Sequence, residues 1–155
     1  MKFSEAMSKL RRLGRPSVVQ GMKRFGLPTT NSLGVTAPRL HALARQIGTN
    51  QKLSLKLWST RIHDARVLAA LIGDATQVTK RQMVRWANEF DSWGVCDACC
   101  GVLFVRTPHA VEMALRWSGS RKEFVKRAGF ALMAEIAIHQ KHLGDREFRP
   151  MLQAI

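Results

Sequence analysis

Cysteine is scarce: the 155 residues hold three, Cys96, Cys99 and Cys100, all within one short stretch. An odd number so clustered builds no disulfide framework, and no second Cys or His pair stands at a spacing that would complete a zinc site. The three read as small apolar residues packed inside a helix, and no metal is expected there. Long apolar runs are missing too, and none approaches the roughly 18 residues of a membrane span. The start, Met1-Lys2-Phe3-Ser4-Glu5-Ala6, carries charges where a secretory leader would have an apolar region, so the chain is read as cytosolic. Apolar–polar alternation is not sustained anywhere, which argues against a sheet. Acidic residues are few as well: 11 Asp and Glu stand against 25 Lys and Arg, a formal net charge of +14.

A field of that sign repels itself, and a polyanion relieves it. Nucleic acid is the first reading of the partner, an anionic membrane surface the weaker one, and a solvated basic protein without a partner the plainest alternative. The basic residues are scattered through predicted helices and not gathered in a tail, so the charge belongs to a folded surface.

What is present is helix. With 46% apolar residues the chain can build a core, and apolar positions recur with helical period between marked starts and stops. Pro38 and Pro108 fall in first turns; Thr79 with Gln82, and Ser120 with Glu123, have capping-box spacing. Gly14, Gly26, Gly48, Gly73 and Gly119 close the periodic stretches. The pattern predicts helices at about 2–13, 16–25, 37–47, 51–58, 62–72, 79–89, 92–105, 108–117, 121–139 and 145–155, with a loop over 27–35.

Residues 62–71, 94–103 and 124–133 resemble one another: one charged residue, then small residues, then a bulky apolar patch. Arg66, Asp97 and Arg127 align at steps of 31 and 30, and Trp58, Trp86 and Trp117 precede them by 8 to 11 residues. A repeated helix–turn–helix cannot bury its apolar faces alone, so the expected fold is an all-α helical-repeat solenoid, one domain over 1–155, with a basic concave face. If the second helices line the inner curve, Arg66, Asp97 and Arg127 share a groove and the three tryptophans plug the spaces between helices.

Within the middle repeat, Trp93 and Asp97 are four residues apart, one turn on one helix face. An aromatic face beside a carboxylate suits a flat cation, through ring quadrupole and Coulomb attraction. The alternative is that Asp97 pairs with Arg66 or Arg127 and holds neighbouring repeats in register. His63, His139 and His142 show no obvious acidic partner and are read as surface or core residues.

Taken in order, Gly21-Met22-Lys23-Arg24-Phe25-Gly26, Leu33-Gly34-Val35-Thr36-Ala37-Pro38, Leu57-Trp58 with His63-Asp64-Ala65-Arg66, Asp91-Ser92-Trp93 with Cys96-Asp97, and Phe124-Val125-Lys126-Arg127-Ala128 resemble the DNA alkylation repair enzymes. These are glycosylases built from HEAT-like repeats that release N3- and N7-alkylated purines from duplex DNA. The resemblance covers nearly the whole chain. It implies that Asp97 is the catalytic carboxylate, that Trp93 lies against the lesion, and that Arg127, with Arg66 and Lys126, contacts DNA. It implies no cofactor, a monomer, and a base that stays in place where other glycosylases flip it. Lyase chemistry by Lys126 is the remote alternative, since nothing marks it as desolvated. Family members also continue by further helices bearing another tryptophan and some place a tyrosine near the lesion. This chain has no Tyr, Gly21 stands where one would be, and no Trp follows Trp117. The expectation is therefore a chain whose C-terminal repeats are missing. Two other readings stay open, a DNA binder without catalysis and a helical scaffold for an acidic protein partner.

Overall fold

The structure, a computed structural model, describes all 155 residues and contains ten α-helices and no strand. They are α1 (Phe3–Leu13), α2 (Pro16–Arg24), α3 (Ala37–Ile47), α4 (Gln51–Trp58) and α5 (His63–Ile72), followed by α6 (Lys80–Asn88), α7 (Trp93–Val102), α8 (Ala110–Ser118), α9 (Glu123–His139) and α10 (Asp145–Gln153). Every predicted helix is present, and no helix is long and apolar enough to cross a membrane.

Three boundaries differ from the sequence pattern, each for a local reason. Ser120 does not cap α9: its hydroxyl accepts from the Lys122 amide at 3.1 Å, and the helix starts at Glu123. Pro108 lies before α8, because the Thr107 hydroxyl accepts from the His109 amide and holds a turn there. The stretch expected to continue α7 to residue 105 tightens into a single 3-10 turn, Phe104–Arg106. Leu103, Phe104 and Val105 are all buried, and a regular α-helix would fan three successive side chains over about 200°.

The chain divides into two compact units, Met1–Asp74 and Ala75–Ile155. In the first, α4 and α5 form a hairpin whose Leu57, Trp58, Leu68 and Ala69 are buried. Asn50 caps α4 through the Leu53 amide at 2.9 Å. The loop before α3 is held from α5: Asp64, 1% exposed, accepts from the Leu33 amide at 2.6 Å and the Val35 amide at 2.7 Å. Gly34 sits between them at φ 74°, where a Cβ would fall on the Arg15 carbonyl, so the turn requires glycine twice over.

In the second unit, Thr79 and Ser92 cap α6 and α7 as their positions suggest. Phe104 fills the centre, with Trp86 at 6.2 Å and Trp117 at 6.0 Å between ring centroids. Trp58, Trp86 and Trp117 are all buried core residues. Helices α8 and α9 cross so closely that a Cβ on Gly129 would stand 2.7 Å from the Trp117 carbonyl carbon.

Candidate functional site

The site is assembled by the approach of α7 to α9. Ser92 Oγ accepts from the Val95 amide at 3.4 Å, which starts α7 at Trp93 and puts Asp97 one turn further along. Below the surface, the Cys96 thiol donates to the Phe124 carbonyl at 3.6 Å and the Cys100 thiol to the Ala128 carbonyl at 3.7 Å. These contacts bracket Asp97 on one helix and Arg127 on the other. All three cysteines are buried in α7. The hydrogen bond from Cys96, with burial behind it, pushes the Cys100 thiol well above its ordinary pKa. It therefore behaves as a neutral packing group.

Between those brackets, Arg127 Nε donates to Asp97 Oδ1 at 2.8 Å and Nη2 to Oδ2 at 2.7 Å. The fork-to-fork geometry fixes both planes. The guanidinium carbon also lies 6.0 Å from the centroid of the Trp93 ring, so a flat cation rests beside the carboxylate and within range of the indole. The Asp97 hydrogen bond and charge raise the Arg127 pKa, against a smaller opposing effect of burial. Neither partner is sealed in: Asp97 is 39% and Arg127 46% exposed. Trp93 is 37% exposed, unlike the three core tryptophans. An ion pair this wet stabilises by about 0–1 kcal/mol, so a competing anion can displace it.

An open groove of about 630 Å³ runs along this face of α9, floored by Phe130, Ala131 and Ala134 and edged by Asp97, Glu123 and Glu135 with Lys126 and Arg127. Three of the protein's 11 acidic residues therefore meet in one groove of a basic chain. With Lys126 and Arg127 beside them, the groove offers both signs, carboxylates to a cation and edge cations to a phosphate. Glu135 was not singled out from sequence. It stands 3.1 Å from the position a Gly101 Cβ would take, and its Oε2 lies 3.2 Å from His139 Nε2. This corrects the reading that His139 lacks an acidic partner, since the i,i+4 spacing to Glu135 was visible. Glu123, Arg127, Phe130, Ala134 and Ile138 follow the same stripe, and the helical period alone would have marked it.

Trp93, Asp97, Lys126 and Arg127 thus stand together in the second unit. Arg66 belongs to the first unit, where it is 3% exposed and holds its guanidinium 4.8 Å from the centroid of the Trp58 ring. The repeat alignment treats it as an exposed cation. The structure corrects that, because the core-facing side of α5 draws the stem inward and Trp58 receives the charge.

The sequence matches the DNA alkylation repair enzyme family over residues 6–155. Among curated proteins none matches. A solved structure, described as a new family of proteins related to the HEAT-like repeat DNA glycosylases with affinity for branched DNA structures, shares the fold with a TM-score of 0.87 at 21% identity. The alignment covers 99% of this chain and 66% of that one.

Proposed function

The chain belongs to the DNA alkylation repair enzyme family, and on that premise we propose that it is a glycosylase releasing N3- and N7-alkylated purines from duplex DNA by hydrolysis, acting as a monomer. The observation that carries this reading is the placement of a flat cation, the Arg127 guanidinium, against the Asp97 carboxylate and beside the Trp93 ring. An alkylated purine is also a flat cation. Its ring charge makes it a good leaving group, so the glycosidic bond needs little help from a general acid. As the bond breaks, its electron pair leaves with the base, which departs neutral, and positive charge passes to the sugar as an oxocarbenium-like ion. Asp97 stabilises that charge and orients the water that attacks C1′, and the proton lost from that water passes to the carboxylate or to solvent. Trp93 favours the charged base over a neutral one.

In this scheme Arg127 exchanges partners. A DNA phosphate takes its guanidinium, and the cationic base and sugar take its place at Asp97. The exchange is inexpensive because the exposed pair is worth no more than about 1 kcal/mol. Lys126, exposed at the groove edge, adds a second phosphate contact.

The deciding experiment measures release of 7-methylguanine and 3-methyladenine from methylated duplex DNA by the protein and by Asp97→Asn. Release by the parent with a loss of about 10²–10³-fold in the variant is expected. A folded parent that releases neither base sinks the reading. A second reading is favoured by the same ion pair, which neutralises the carboxylate in the free protein. It is that of a DNA-binding module without catalysis, as the affinity of the structural neighbour for branched DNA suggests. Tight binding of a three-way junction without any base release would select it.

A further inference from the structure

The positive charge is not spread evenly. Met1–Asp74 holds thirteen Lys and Arg against three acidic residues, a net +10, whereas Ala75–Ile155 holds twelve against eight, a net +4. One of the three acids, Asp64, is buried with both oxygens on backbone amides. The first unit therefore presents almost unopposed cationic surface, although the candidate chemistry lies in the second.

That surface has a built feature. Between α1 and α3 lies a cleft of about 330 Å³, with Lys9, Arg12, Arg39 and Gln46 at its rim and Leu13, Ala42 and Leu43 at its floor. Lys9 and Arg12 are three residues apart and share one face of α1. Arg39 reaches across from α3, and its Nη1 donates to the Leu13 carbonyl at 3.3 Å. The guanidinium is thereby oriented before any ligand arrives, and this contact takes only one of its five N–H donors. No carboxylate lines the cleft; Glu5, half exposed, pairs with Lys9 at 3.6 Å from one turn before it on α1. Cations above an apolar floor match a phosphodiester backbone, with anionic oxygens on one side and deoxyribose carbon on the other.

We propose that the α1–α3 cleft is a phosphate-backbone contact for duplex DNA, made by Lys9, Arg12 and Arg39 and separate from the Asp97 site. The inference rests on the DNA-binding part of the function proposed above. Each contact releases condensed counterions, so each contributes about 0.9 to the slope of log affinity against log salt.

The test compares Lys9→Gln/Arg12→Gln with the charge-matched control Lys52→Gln/Lys56→Gln on α4, whose lysines are exposed and lie outside the cleft. Binding of a fluorescent random-sequence duplex is followed by anisotropy across a salt series, with circular dichroism confirming that each variant is folded. The cleft variant is expected to lose about 1.8 from the log–log slope, for two contacts, and the control only a small fraction of that. Equal losses in both variants, which would mean a diffuse field only, overturn the proposal, and so does a parent that shows no salt-dependent binding. Cleft-specific loss in a protein that releases no alkylated base removes the glycosylase reading and leaves the cleft standing. Intact base release with a cleft variant that binds like the control overturns the cleft alone.

Discussion

The two units put the same side chain to opposite uses. In Met1–Asp74, Asp64 near the start of α5 is buried and accepts two short backbone hydrogen bonds from the preceding loop. In Ala75–Ile155, Asp97 on α7 is 39% exposed and faces a guanidinium. The first carboxylate has fixed partners and no access to a ligand, so its charge serves folding. The second has a solvent-exposed partner in an open groove, so its charge is available for chemistry. The surfaces reverse this order: the unit with the structural carboxylate carries the greater positive charge, and the unit with the accessible one collects acids around it. Burial and partner type, more than residue identity, decide what an aspartate does.

Several substitutions would break that contrast or sharpen it. The largest expected effect is on activity: Asp97→Asn lowers base release by about 10²–10³-fold while shifting stability by no more than about 1 kcal/mol. Release assays paired with urea unfolding of the same preparation read both. Asp64→Ala should do the reverse in kind. It strands the Leu33 and Val35 amides, which costs about 3 kcal/mol, seen as a lower urea midpoint. If the Asp64 variant proved as stable as the parent and the Asp97 variant unfolded, the contrast would be inverted. Gly129→Ala, which forces α8 from α9, is expected to cost about 2 kcal/mol. Gly101→Ala meets only the end of the Glu135 side chain and should cost much less; thermal melts of the two variants side by side would expose an error in that ranking.

The smallest effect lies at the surface pair of Lys80 and Glu112, 2.5 Å apart. The hydrogen bond from Lys80 holds the Glu112 carboxyl below its ordinary pKa. A carboxyl lowered on folding contributes stability that is present above its unfolded pKa and fades as pH falls through the folded one. An NMR titration of Glu112 should therefore show a midpoint below the usual glutamate value, returning to it in Lys80→Gln. No return would remove Lys80 as the cause.

Much of this protein was legible residue by residue. The helices follow from apolar period, proline position and capping chemistry, all local interactions within one or two turns. The three core tryptophans stood out because a large ring closing each first helix has nowhere else to go. The juxtaposition of Trp93 and Asp97 also follows from helical spacing alone. By contrast, spacing misplaced the starts of α8 and α9, where the Thr107 and Ser120 hydroxyls bond to amides two residues on and form turns. The sequence did not distinguish Arg66 from Arg127, two arginines at equivalent repeat positions. One went inward to Trp58 and the other outward to Asp97.

By itself, then, the sequence determined the all-helical architecture, the repeat, the basic balance and the family, because each rests on composition or on contacts a few residues apart. Only the tertiary structure decided which cation meets Asp97, that Glu123 and Glu135 join it in one groove, and that Arg39 crosses to α1 beside Lys9 and Arg12. Those arrangements depend on the rotation and spacing of helices distant in sequence. They are set by the fit of buried residues, such as the Cys96 and Cys100 thiols and the bare backbone of Gly129, which no local pattern encodes.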